Sequence, residues 1–223
     1  MSITLKLMIL FSFTTFLLFT LFYNNLNLSF EKEKEKDNFA DKNIIPICCA
    51  WGPELQDGIL TYSIQGGEND DKKDIDAVTK AIDLWNQNLN GMQFIKSNGT
   101  SSSDNDNIKI SFINDGKKVA GKTTNSIDGN GFIRQSYIVL SKESFNRPFS
   151  QSELIQVAKH ELGHVLGLNH VNFKGNLMSA FVNKGNAKIS PCLIEAVNTA
   201  NSWKLKEGGI SIHGPTQNQI VCK

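Results

Sequence analysis

The sequence predicts one α/β domain of five strands and three helices, and three observations carry that expectation. Alternating or β-branched apolar runs at residues 58–64, 92–96 and 108–113 have strand character. Between the first two, Ile75, Val78, Ile82, Trp85 and Leu89 recur at helical spacing and make a core stripe. The resulting order of strand, helix, strand, strand requires crossover connections. Two more strands at 132–134 and 136–141, and helices opening at Ser150 and Ser190, complete the set.

In chain order, residues 3–23 are apolar apart from Lys6 and a few hydroxyls. That length is close to what a bilayer requires, so residues 1–23 are expected to be a signal anchor or a cleaved signal peptide. Lys6 and the amino terminus favour a cytoplasmic N-terminus, which puts the rest outside the membrane. The segment 24–29 offers no small-x-small cleavage site, which favours the anchor. Either way the protein is exported, to the extracellular face of the cell membrane or beyond it. Residues 24–46 form a charged linker in which 31–36 alternate acid and base, a pattern that buries no face. The folded domain is expected at 47–223. With 23 basic and 22 acidic residues, nothing points to a nucleic-acid partner.

Asp71 caps the first helix and Asn90-Gly91 ends it. Residues 97–107 are polar; Asp104, Asp106 and Asn107 lack the EF-hand spacing, so a solvated loop is expected there rather than Ca2+. Asp128-Gly129-Asn130-Gly131 is a turn signal, and a plain turn is the expectation there too. The second helix announces its start with Ser150 as N-cap, Glu153 completing a capping box, and Phe149 against Leu154 as a staple. Its Leu154, Ala158, Leu162 and Val165 share one face. Ser190-Pro191 opens the last helix, which Gly208-Gly209 closes; His213 in the tail receives no role.

The chemistry sits at the end of the second helix, in His160-Glu161-Leu162-Gly163-His164-Val165-Leu166-Gly167-Leu168-Asn169-His170. Residues four apart share a helix face, so His160 and His164 can hold one metal ion while Glu161 reaches its outer side. Gly167 can take the left-handed conformation that turns the chain and returns His170 as a third ligand. Three nitrogens and an open fourth position describe a catalytic Zn2+ site, with Glu161 as general base.

This stretch matches the HExxHxxGxxH signature of the metzincin metalloproteases. Residues 176–180 (Asn-Leu-Met-Ser-Ala) resemble the family's methionine turn, and Trp51 with the strand at 58–64 resembles the opening of a matrixin catalytic domain. The resemblance implies a twisted mixed sheet above a zinc cleft, between a larger N-terminal and a smaller C-terminal part. It implies that residues 132–134 are the antiparallel edge strand, which accepts a peptide substrate as an added strand. It places residues 180–188 on one wall of the specificity pocket. No histidine precedes His160, so the second, structural zinc of vertebrate matrixins is not expected, and no cysteine-switch motif is present.

The implied function is a zinc-dependent endopeptidase. The alternatives are a zinc amidase acting on cell-wall or other non-protein amides, and an inactive metzincin-like binding module. In the matrixin arrangement the segment entering the domain packs beside the last helix. That implies two cross-links joining Cys48 and Cys49 to Cys192 and Cys222, with the pairing open. A free thiol at Cys48 or Cys49 that blocks the zinc is the alternative.

Overall fold

The computed structural model describes residues 43–65, 72–97, 105–114, 119–144, 147–180, 187–202, 215 and 218–222. The apolar segment at 1–23, most of the linker, Asp71, Asp104, the wall residues 181–186, Gly208-Gly209 and His213 lie outside the described residues. Among the described residues, no helix is long and apolar enough to cross a membrane.

The strands are β1 (Ile44–Pro46), β2 (Ala50–Trp51), β3 (Ile59–Gln65), β4 (Gln93–Lys96), β5 (Ile108–Ile113), β6 (Gly121–Ile127), β7 (Phe132–Ser141), β8 (Glu143–Ser144), β9 (Arg147–Pro148) and β10 (Gln219–Val221). The helices are α1 (Lys72–Asn86), α2 (Gln151–Val165) and α3 (Pro191–Ala200). The main sheet runs β2-β7-β5-β3-β4, with β6 on β7. Pairs β3/β4, β3/β5, β5/β7 and β2/β7 are parallel, and β6/β7 is antiparallel. The expected mixed sheet and three helices are therefore present, but the sheet has six strands: the two strands expected at 132–134 and 136–141 are one, β7, and β2 and β6 are added.

Parallel strands need crossovers, and α1 supplies the one from β3 to β4. Val78, Ile82 and Trp85 on its inner face are buried. Trp85 donates its indole proton to the Lys159 carbonyl at 2.9 Å, which fixes α1 against α2. Asp106 and Asn107 serve the sheet: Asp106 accepts from the Ser97 hydroxyl, and the Asn107 side-chain oxygen accepts from Thr61 N at 2.8 Å.

Three expectations are corrected. First, the edge strand is β6 and not residues 132–134, which begin the continuous strand β7. Phe132 and Ile133 are buried, as an interior strand requires, and the turn at 128–131 is the hairpin between β6 and β7. Gly131 adopts φ 83°, and the Asp128 side chain accepts from Asn130 N and Phe132 N. The β6 sequence GKTTNSI has almost no apolar alternation, because its two faces meet polar groups and solvent.

Second, residues 44–46, assigned above to the linker, form β1 and pair antiparallel with β10, so the compact unit begins at Asn43. The alternating pattern of Ile44, Ile45 and Pro46 buries Ile45 completely.

Third, the cysteines pair differently. Cys192 in the first turn of α3 is joined to Cys222, and Cys48 is joined to its neighbour Cys49. The β1/β10 pairing carries Cys222 to α3 and occupies Cys192. Cys48 meanwhile hydrogen-bonds through its backbone N–H to the Gly167 carbonyl at 2.9 Å, at the cleft rather than at α3.

Candidate metal centre

Helix α2 opens with the capping box read from the sequence: Ser150 Oγ accepts from Glu153 N, and the Glu153 carboxylate accepts from Ser150 N at 2.9 Å. Leu154, Ala158, Leu162 and Val165 are buried on the core face. His160 and His164 stand on the cleft side.

The helix stops in a Schellman motif. Gly167 N–H bonds to the His164 carbonyl at 3.0 Å and Leu168 N–H to the Gly163 carbonyl at 3.1 Å, with Gly167 at φ +93°. This stop is essential to the third histidine. Had the helix continued, His170 would sit about 9 Å further along the axis and be rotated by about 240° from His164. A Cβ at Gly167 would stand 2.2 Å from the Cys49 carbonyl oxygen, so only glycine fits.

Beyond the turn, backbone bonds hold His170 from both sides. Asn169 N–H donates to the Pro46 carbonyl at 2.9 Å, and Val171 N–H donates to the Met178 carbonyl at 2.9 Å. Met178 is fully buried beneath the helix: a Cβ added at Gly163 would lie 2.3 Å from its sulfur. The glycine inside the zinc motif thus makes room for the methionine turn.

The three Nε2 atoms converge, with separations of 3.1 Å (His160 to His164), 3.2 Å (His160 to His170) and 3.2 Å (His164 to His170). A tetrahedral ion with nitrogen bonds of about 2.0–2.1 Å separates its ligands by roughly 3.3 Å, so the cluster fits zinc closely. His160 Nδ1–H donates to the Leu177 carbonyl and His164 Nδ1–H to the Leu168 carbonyl, both at 2.7 Å. These bonds commit the protons to Nδ1 and leave the Nε2 lone pairs facing one another, an arrangement that a cation relieves. Burial lowers the His160 pKa and, together with the neighbouring His160 ring, pushes His164 down to about 4, so both rings are neutral and able to ligate. Among the described residues, these three form the cluster able to hold a metal.

Glu161 lies in the same cleft, of about 330 Å³, whose lining includes Gly121, Thr123 and Asn125 of β6 together with Cys48, His164 and His170. Burial pushes its carboxyl up to about 7, while hydrogen bonding from Thr123 pulls the other way.

A matrixin family model matches residues 50–192, from β2 through the zinc motif and methionine turn to the start of α3. The chain belongs to the matrixin family. It is also similar to the interstitial collagenase of Sus scrofa, 27% identical over 179 residues that cover 75% of this chain and 34% of that protein. The matrixin chain thus spans about a third of the length of that relative.

The structure brings His160, His164, His170 and Glu161 together. Two further features of this matrixin escaped the sequence reading. One is the seam of backbone bonds between residues 46–48 and 167–169, which secures the third histidine's loop and has no side-chain signature. The other is the strand wall of the cleft, where Asn125 donates to the His164 carbonyl at 2.9 Å and Thr123 to the Glu161 carboxylate at 2.7 Å. Alternating polar residues before a hairpin turn were the available signal for it.

Proposed function

We propose that this matrixin is a zinc-dependent endopeptidase with His160, His164 and His170 as ligands and Glu161 as general base. The convergence of the three Nε2 atoms beside the buried Glu161 carboxylate carries the reading; the matrixin family supports a zinc metalloendopeptidase in general. Zinc at this centre supplies a Lewis acid that makes water acidic near neutral pH and polarises a carbonyl.

Glu161 accepts a proton from the attacking water as the oxygen bonds to the peptide carbonyl carbon. It then hands that proton to the amine nitrogen as the C–N bond breaks, so the base is restored in each turnover. The substrate lies extended along β6, whose side away from β7 has no strand partner among the described residues. Edge addition of this kind engages the main chain of a peptide and leaves side chains to set preference. The two joined cysteine pairs support an oxidising, extracellular location. Sequencing the N-terminus of the exported chain decides between a membrane anchor and a cleaved signal.

The test is a cleavage-site profile on a denatured proteome together with elemental analysis. One zinc per chain, activity abolished by chelation, and a turnover loss of about 10²- to 10⁴-fold in Glu161→Gln with zinc retained are expected. A zinc-loaded protein that leaves all peptides intact, or a Glu161→Gln protein with near-normal turnover, overturns the reading.

A further inference from the structure

The β6 wall of the cleft carries a device aimed at Glu161. Thr123 Oγ1 lies 2.7 Å from Glu161 Oε2 and 3.1 Å from the Glu161 backbone carbonyl. A threonine hydroxyl has one proton, and the closer, charged oxygen is the stronger acceptor. Two residues earlier, on the same face of the strand, Gly121 presents bare backbone. A Cβ there would stand 2.7 Å from Glu161 Oε1 and 2.9 Å from its Cγ. One carboxylate oxygen is therefore held by a hydroxyl, and the other passes over the gap left by a glycine.

The cradle is itself firmly placed. Thr123 is paired with Ile138 and Gly121 with Leu140, and both partners are buried in the sheet. β6 thus transmits the position of the core to a side chain on α2. A glutamate has three rotatable bonds, and a misplacement of about 1 Å costs on the order of 10²-fold in rate.

We propose that Thr123 is a positioning residue for the general base, holding Glu161 Oε2 so that Oε1 is the oxygen that exchanges the proton. The proposal rests on the peptidase reading above and deepens it. The zinc motif specifies neither Thr123 nor Gly121. A valine would keep the shape and strand preference of position 123 while removing the donor.

The experiment compares Thr123→Val, Thr123→Ser and wild type in the zinc-loaded full-length protein. The probe is a dye-quenched peptide chosen from those the wild type releases from denatured casein. Thr123→Val is expected to lose about 10- to 100-fold in kcat with KM and zinc content unchanged. Thr123→Ser, which restores the hydroxyl, is expected to recover most of the loss. Gly121→Ala, which crowds the carboxylate, should resemble Thr123→Val. Unchanged kcat in Thr123→Val, or a serine variant as impaired as the valine one, overturns the proposal.

A second measurement does not depend on turnover. In chemical unfolding, Thr123→Val should lower the midpoint more in the wild-type background than in a Glu161→Ala background; equal shifts overturn the contact. An inert wild type that shows this coupling defeats the peptidase reading and leaves the positioning contact standing.

Discussion

The two ends of helix α2 are held by opposite means. Its N-terminus is closed locally and in solvent: Ser150, Glu153 and Arg147 satisfy one another within seven residues, with the guanidinium 2.7 Å from the carboxylate. Its C-terminus is closed from afar and inside the protein. Trp51 donates its indole proton to the Val165 carbonyl at 2.8 Å, Asn125 reaches the His164 carbonyl, and Asn201 reaches the Leu166 carbonyl at 3.4 Å. Gly167 completes that end under the Cys49 carbonyl. The helix begins where its own sequence dictates but stops where the rest of the fold permits. The three converging histidines sit at the second end, where His170 depends on the stop being placed to the residue.

The sharpest way to break this asymmetry is Gly167→Ala. A left-handed φ and a 2.2 Å approach to a backbone oxygen leave no side chain that can yield. The variant should lose roughly 3 kcal/mol or more in chemical unfolding and much of its zinc. A variant with an unchanged midpoint and full zinc would remove the distinction between the two ends.

Trp51→Phe tests the same end more gently. It keeps the aromatic bulk but leaves the buried Val165 carbonyl without its donor, and a loss of about 1–3 kcal/mol is expected by calorimetry or denaturant titration. A loss below the error of the measurement would make the indole bond incidental.

The smallest effect belongs to the N-terminus. Arg147 first, then the Ser150 N–H and hydroxyl, hold the Glu153 carboxyl down at about 2. A carboxyl depressed on folding stabilises the protein above its unfolded pKa of about 4.5, and the contribution fades as pH falls from there toward 2. The Tm difference between wild type and Glu153→Gln should therefore shrink across that window. Because the pair is exposed, the difference at neutral pH should be modest, a degree or two. A difference that grows on acidification contradicts the assignment.

These contrasts explain what was legible in the sequence. The capping box, the stripe of α1, the convergence of the three histidines and Gly167 are patterns within a few residues of one another, governed by the geometry of a single helix or turn. β6 was not legible, because an edge strand that meets a helix through Thr123 and Asn125 needs no apolar alternation. The cysteine pairing was misread because β1/β10, a pairing across the whole domain, decides which thiol meets Cys192. The Trp51 bond to Val165 spans 114 residues, and nothing near either residue announces it.

Met178 has a chemical consequence of its own. Its sulfur fills the space left by Gly163, and the side chain is fully buried. A sulfoxide oxygen on that sulfur would need room that the close fit beneath the helix does not provide, and peroxide cannot reach the sulfur while the domain is closed. Met178 oxidation is therefore expected to report opening of the domain: when reclosing is faster than the oxidation, the sulfoxide should accumulate in proportion to the fraction of molecules in which α2 has lifted from the methionine turn, and its added oxygen should hinder their repacking.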